Sequence, residues 1–520
     1  EAQGKIPTLS RIKTTEGVFF ANAYTGIPSV TNPMQAAIAS GTTPRFTDNH
    51  YRYFDKKLNK VVQEQPVRKN EAETLAEAAV RQGVNTASIN YFAFLGRGTD
   101  FGRPTKIYLN APAGANGYSD YNARFDAAIR LLKTIKNDGS LDAQTPLLIA
   151  LYMDDLDGFG HNMGSIYGHA PVKTEAQRRA AVVERLGLMD AKLEEFIAVC
   201  RAVGLYDRMS FLLTTDHGMT TMGLQQSQFD EGIDSKLPDL IATIEALGPG
   251  YNCEVLTPDG QATPSPAAEI ALVTIGLQVQ LSHLKEADPG VIGKKNIKIA
   301  AALQGTGYID RIMFPWEMIG KGVKAGFADL IISPLPPYHF RIARGGLTNV
   351  RGQHDSLTEE VQRIPVFMWG NGIKKGVTSY AKVGNEDLAP TLTRLLGINA
   401  PLDATGRILY EGLDGFIPPK ESSIIIEDQA ILASGMVRRL TDDEASGGTA
   451  VNLQGRSAGF ELTGRSAQRI IVRYAACSDS KLHFWVNDRL IRTLFFPATV
   501  GLSSKYDDKR ININLNQGDT

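Results

Sequence analysis

An α/β fold with a mostly parallel sheet flanked by helices, followed by a C-terminal all-β sandwich, is what this sequence predicts, on three observations. Apolar runs bounded by turn residues alternate with amphipathic stretches, the pattern of repeated strand and helix units. That alternation breaks at Gly412–Ser423 (GLDGFIPPKESS), and beyond it come short strand-like runs separated by Gly, Ser, Asn and Asp. The 520 residues, 43% hydrophobic and 21% charged, have an ordinary globular composition that allows two or three domains. A disordered chain, a collagen-like repeat, a coiled coil and a small stapled scaffold are excluded.

In order along the chain, Gly17–Tyr24, Ala87–Ala93, Pro146–Met153, Met209–Thr215, Ala328–Ser333 and Ile364–Trp369 are apolar runs of strand length. Between them, Asn70–Gln82, Tyr121–Ile135, Thr174–Val203 and Asn385–Leu396 read as helices. Thr174–Val203 has Ala, Val, Leu and Ile at helical spacing with charges elsewhere, which is core packing. Residues 220–350, with more Pro and Gly, read as further sheet elements plus a cap-like insertion near a site. The expected division is 1–414 for the α/β domain, 415–422 for a linker and 423–520 for the β-sandwich, with runs at Ile424–Ile426, Arg469–Tyr474, Leu482–Val486 and Ile511–Leu515.

Lys and Arg total 55 against 56 for Asp and Glu, and there is no dense basic stripe, so a nucleic-acid polymer or an anionic membrane is not the expected partner. Cys200, Cys253 and Cys477 lie far apart without a CxxC, so neither a disulfide framework nor a cysteine zinc site is encoded. Apolar stretches such as Thr145–Met153 are far below the ~20 residues of a membrane span. The start, Glu1-Ala2-Gln3-Gly4, carries no basic-then-apolar signal, leaving a cytosolic protein or a signal already removed.

Three clusters carry chemistry. Asp157 and His161 stand four residues apart just past an apolar strand, Asp216 and His217 are adjacent after another, and His354-Asp355 precedes a third. Carboxylate oxygens and imidazole nitrogens are the usual ligands of zinc-like ions, and strand ends are where α/β folds place sites, so the three suggest one metal centre. A fourth piece is Thr31 in Pro28-Ser29-Val30-Thr31-Asn32-Pro33, a helix N-cap or, beside two metals, a nucleophile. Asn49 is a turn residue or a donor to a developing oxyanion.

PSVTNP, DxxGH, TTDHGM and GQHD, in this order over roughly residues 5–410, resemble the type I phosphodiesterase/nucleotide pyrophosphatase branch of the alkaline phosphatase superfamily. The resemblance implies an alkaline-phosphatase-like fold and hydrolysis of phosphoric esters. Asp157, His161 and His354 would hold one metal, Asp216, His217 and Thr31 would face the other, Thr31 would be the covalent nucleophile and Asn49 a phosphoryl-oxygen donor. Two divalent transition metals, with zinc the expected identity, would lie about 3.5–4 Å apart and support in-line phosphoryl transfer. The lack of a Cys-x-Pro-x-Arg run argues against sulfatases, while phosphonoacetate hydrolases share the Thr-Asn step. The family opens on a strand ending in a metal-binding Asp-Gly; the chain starts at Glu1, downstream of that point, so either the sequence is incomplete or the second metal lacks a ligand.

Ile426-Glu427-Asp428, Glu444-Ala-Ser-Gly-Gly448, Val472-Arg473-Tyr474-Ala475 and Val486-Asn487-Asp488 resemble β-sandwich carbohydrate-binding modules of the family 6/35 type. Such modules often carry a structural calcium, for which Glu427 is a candidate ligand or else a surface carboxylate; Arg473 is a glycan contact or a strand-face residue. Ending at Thr520, the module stops before its expected last strand. The expected ligands are a small phosphoric ester or phosphorylated glycan at the metal site and a polysaccharide at the module. The module's family alone suggests an extracellular, periplasmic or cell-surface location. The alternative is a non-catalytic, self-assembling glycan-binding matrix or filament protein on a degenerate hydrolase fold.

Overall fold

The computed structural model describes residues 4–134, 145–223, 235–342, 351–418, 438–442, 444–445, 449–453, 466–502 and 504–520. The expected runs form elements with trimmed ends, and local chemistry accounts for the trimming. The helix expected from Asn70 begins at Leu75, because Thr74 and Glu77 form a reciprocal capping box that defines the first turn. Thr174 and Gln177 set the start of the long helix Glu175–Ala202 in the same way. The run Gly17–Tyr24 divides into strands Gly17–Phe20 and Ala23–Tyr24 around a turn, and Ala87–Ala93 is cut to Thr86–Ile89 by Asn90, whose φ of 54° leaves the extended region.

Three sheets position the site. Val377–Ser379, Gly17–Phe20, Val366–Gly370 and Ser210–Thr214 form one in that order, and Lys106–Leu109, Thr86–Ile89 and Leu148–Leu151 form a parallel second. Both contribute to a core closed by Phe125, Ala128 and Leu132 of the helix Tyr121–Thr134 and by Leu193, Phe196, Ile197 and Cys200 of the long helix. The region read as a cap-like insertion contains the third sheet, ordered Cys253–Leu256, Ile270–Ile275, Gln278–His283, Leu330–Pro334 and Ile309–Met313, with its own core around Leu240, Ile244, Ile299 and Leu330.

The expectation of mostly parallel strands needs correcting. Gly17–Phe20 pairs antiparallel with Val366–Gly370, which pairs antiparallel with Ser210–Thr214, and the third sheet has one parallel pairing. The first and third sheets are mixed because an apolar run reports burial on both faces, whereas direction follows from the long connections between strands. The long helix departs from a purely apolar packing role as well. Its C-terminal half enters the core as expected, but its N-terminal half buries Glu175, Arg178 and Arg185.

The C-terminal region is β-rich: Arg438–Thr441 pairs with Thr449–Asn452, Ala467–Tyr474 with Asp507–Leu515, and Ser480–Val486 with Arg489–Phe496 through Asn487-Asp488, both at positive φ as a tight hairpin turn requires. Ile424–Ile426 and Glu427 lie outside the described residues. The β-rich region packs on the segment that precedes it. Leu402 shares a cluster with Leu494, Phe496, Ile511, Ile513 and Leu515, and Asn512 Nδ2 donates to the carbonyls of Pro401 and Ala404 at 3.0 and 2.9 Å. Among the described residues no helix is long and apolar enough to cross a membrane.

Candidate metal centre

Three histidines are held alike. His161, the residue that ends the short helix Asp155–Gly160, donates from Nδ1 to the Gly352 carbonyl at 3.0 Å. His354 donates from Nδ1 to the Ser29 carbonyl at 3.1 Å, and His217, beyond the strand Ser210–Thr214, donates from Nδ1 to the Gly218 carbonyl at 3.0 Å. A carbonyl only accepts, so each Nδ1 carries a proton, and in the neutral ring it is Nε2 that offers a lone pair to a cation.

Those Nε2 atoms converge. His161 Nε2 is 3.3 Å and His354 Nε2 3.9 Å from Asp157 Oδ1, and His217 Nε2 is 3.3 Å from Thr31 Oγ1 and 3.7 Å from Asp216 Oδ2. The His217 and His354 rings stack with centroids 4.0 Å apart. Asp157, His217 and His354 each offer a ligand atom within 4.8 Å of the others. Asp157 Oδ1 is buried and meets no hydrogen-bond donor, as an acceptor awaiting a cation would be. Desolvation opposes charge on Asp157, but His161, by a hydrogen bond and by its charge when protonated, and then His354 and His217 when protonated, outweigh it and hold the carboxyl well below the usual carboxylate range. Burial, reinforced by His217, keeps His354 well below the ordinary imidazole range, in the neutral form a ligand needs. Carboxylate and imidazole donors suit zinc, manganese or iron, so this group fits a divalent transition metal.

The other expected site residues fall into two sets. Thr31 opens the helix Thr31–Ser40 at its first helical position; Val30 is the N-cap, and the Thr31 hydroxyl points to His217 instead of capping. Asp216 is tied down by its carbonyl, which accepts from Thr25 Oγ1 and from Asn385 Nδ2, while its Oδ1 accepts from the His217 amide at 3.2 Å. Asn49 is buried in the loop before Arg52–Asp55, where Nδ2 donates to the Lys69 carbonyl at 2.7 Å and Oδ1 accepts from the Tyr51 amide at 3.3 Å; neither bond reaches the histidines. Arg473 is exposed in the C-terminal region, 5.8 Å from the Tyr506 ring, and belongs to a different surface.

Sequence reasoning missed the residues that aim the histidines: Ser29, Gly218 and Gly352 act through backbone carbonyls, which no side-chain pattern announces. It also missed Gly276, at the hairpin tip between Ile270–Ile275 and Gln278–His283. Gly276 has φ +55°, and a Cβ there would lie 2.1 Å from the His354 carbonyl oxygen. Gly276→Ala is therefore expected to destabilise the fold by at least about 1–2 kcal/mol from the left-handed backbone alone, and further from the clash. Urea unfolding measures it; an unchanged midpoint would mean the tip is free to move off His354.

The sequence model of the type I phosphodiesterase/nucleotide pyrophosphatase family matches residues 1–283. No curated protein matches the chain. Among solved structures, human ectonucleotide pyrophosphatase/phosphodiesterase 5 is similar at a TM-score of 0.50 and 17% identity, covering 78% of this chain and 93% of that one. The murine counterpart, an inactive form in complex with AMP, gives 0.50 at 16% identity, covering 76% of this chain and 91% of that one. At such identity these structures speak to the fold alone, an α/β arrangement of mixed sheets and helices. The family match, spanning more than half of the 520 residues, settles membership: the chain belongs to the type I phosphodiesterase/nucleotide pyrophosphatase family.

Proposed function

We propose that this protein hydrolyses phosphoric esters of the phosphodiester or nucleotide type, using Thr31 as nucleophile at a two-metal centre. The observation that carries this is the set of three imidazoles with Nδ1 bound to backbone carbonyls and Nε2 turned toward Asp157 and Thr31. Asp157, His161 and His354 would hold one cation and Asp216 and His217 the other; the closeness of His217 to Asp157 and His354 supports a single compact centre. Bound divalent cations would supply Lewis acidity, lowering the pKa of the hydroxyl and stabilising charge on the phosphoryl oxygens.

Thr31 stands at the N-terminal end of a ten-residue helix, whose dipole favours a phosphoryl anion. Attack by Thr31 Oγ1 forms its bond to phosphorus as the ester oxygen departs in line, and water then cleaves the phosphothreonine. Asn49 uses one N–H on the Lys69 carbonyl and has a second for a phosphoryl oxygen. The AMP complex of the murine relative supports a nucleotide ester as a first substrate to try.

The proposal extends to the chain's organisation. Residues 1–414 form the hydrolase unit and 423–520 a glycan-binding module with a polysaccharide as its ligand, which suits an extracellular, periplasmic or cell-surface protein. Arg473 shares a surface groove with Glu444, Val500, Leu502 and Lys505, a mixed apolar and polar lining of the kind a sugar ring would use. The test of the hydrolase reading is metal content by mass spectrometry on protein purified without chelators, together with turnover of bis(p-nitrophenyl) phosphate. Close to two transition-metal ions per chain with turnover is the expected result. One ion or none, without turnover, would overturn it in favour of a non-catalytic glycan-binding protein.

A further inference from the structure

The helix Asp155–Gly160 and its end residue carry two pairs spaced four apart, Asp155 with Phe159 and Asp157 with His161. Two residues advance a helix by about 200°, so the pairs lie on opposite faces. The Asp157/His161 face meets His354 and His217. The Asp155/Phe159 face is buried; Arg178 of the long helix donates to the Gly160 carbonyl at 2.9 Å, and another side chain of that helix grips the face itself.

That side chain is Arg185, 5% exposed. Its Nη1 donates to Asp155 Oδ1 at 3.2 Å, and Asp155 is itself fully buried. The guanidinium carbon lies 4.4 Å from the centroid of the Phe159 ring and 5.1 Å from that of Tyr121. Nη2 donates to His169 Nε2 at 3.1 Å, and Asp120 is 3.9 Å away. One planar cation thus binds a carboxylate and packs over a ring, at the first and fifth positions of a helix of six residues. A helix this short has little stability of its own, so its rotation and placement depend on the contacts around it, among which Arg185 is the cation on the face opposite the histidines.

We propose that Arg185 is a positioning residue of the metal centre, holding the outer face of Asp155–Gly160 so that Asp157 and His161 meet His354 and His217 at ligand distance. The proposal rests on the metal-centre reading above. Lysine would keep the charge but not the fork and the flat face together, so the two residues are not equivalent here.

The test is zinc affinity, by competition with a chromophoric chelator, and kcat and KM for bis(p-nitrophenyl) phosphate, in wild type, Arg185→Leu, Arg185→Lys and Phe159→Leu, each checked for folding by circular dichroism. Arg185→Leu is expected to bind zinc about 10–100-fold more weakly, with the loss of turnover in kcat more than in KM, and Arg185→Lys to fall between it and wild type. If Arg185→Leu does not fold, the lysine and Phe159 variants give the same readout. A folded variant with a lower melting temperature but wild-type zinc affinity would make Arg185 purely structural and overturn the proposal. Wild type without measurable zinc affinity would overturn the metal-centre reading itself, in an arm that contains no Arg185 substitution.

Discussion

Thr31→Ala is expected to lower kcat for a chromogenic phosphodiester by on the order of 10³-fold or more, with zinc content and stability unchanged. A change in the fold would blur that result, and local structure argues against one. The N-cap of the helix Thr31–Ser40 is Val30, the Thr31 side chain makes no capping bond, and its described hydrogen bond is to His217 Nε2. Removing the hydroxyl takes away the proposed nucleophile and leaves Asp157, His161 and His354 as they are. Thr31→Ser keeps an attacking oxygen and is expected to lose far less. Turnover persisting in the alanine variant would remove Thr31 from the mechanism.

Lys509→Met is expected to cost about 3–5 kcal/mol, the largest stability effect of any single substitution considered. Lys509 Nζ is paired with Asp403, and both side chains are 1% exposed, so loss of the ammonium strands a carboxylate out of reach of water. Asp403 keeps the Glu73 amide at 2.9 Å on its other oxygen, which is too little to compensate a buried charge. Restoring neutrality with Asp403→Leu in the same chain is expected to recover much of the loss, because an apolar pair of similar volume replaces the ionic one. Guanidinium unfolding of the single and double variants measures both. A loss below about 1 kcal/mol in Lys509→Met would mean that Asp507–Leu515 does not depend on its seat on residues 401–405.

That seat bears on the proposed site as well. Arg45, in the short helix Pro44–Thr47 and four residues before Asn49, is paired with Asp507 at 2.7 Å, so the C-terminal strands brace the segment leading to Asn49. The break in pattern at Gly412–Ser423 marks a change from α/β to β-rich chain, and it is silent about such contacts.

Much was legible in the sequence because it depends on neighbours along the chain. The apolar runs of the strands and the Asp-His clusters are written within a few residues of one another, and the ordered motifs were enough to point to the family that the match over residues 1–283 shows; the helix start that Thr74 sets was passed over in favour of Asn70. Strand direction was not legible, since burial of both faces makes parallel and antiparallel runs look alike. Nor was the role of the long helix as a source of buried arginine: Arg185 reads as a surface charge until Asp155, Phe159 and Tyr121 surround it.

What the sequence by itself determined was therefore the list of side chains able to hold a cation and the class of fold that carries them. Only the tertiary structure decided which of their atoms face one another. The tautomers of His161, His217 and His354 are set by the carbonyls of Gly352, Gly218 and Ser29, and two of those three carbonyls come from far along the chain. A backbone carbonyl is the same group at every residue, so its contribution is invisible in sequence and appears when folding brings a particular one within about 3 Å of a ring nitrogen.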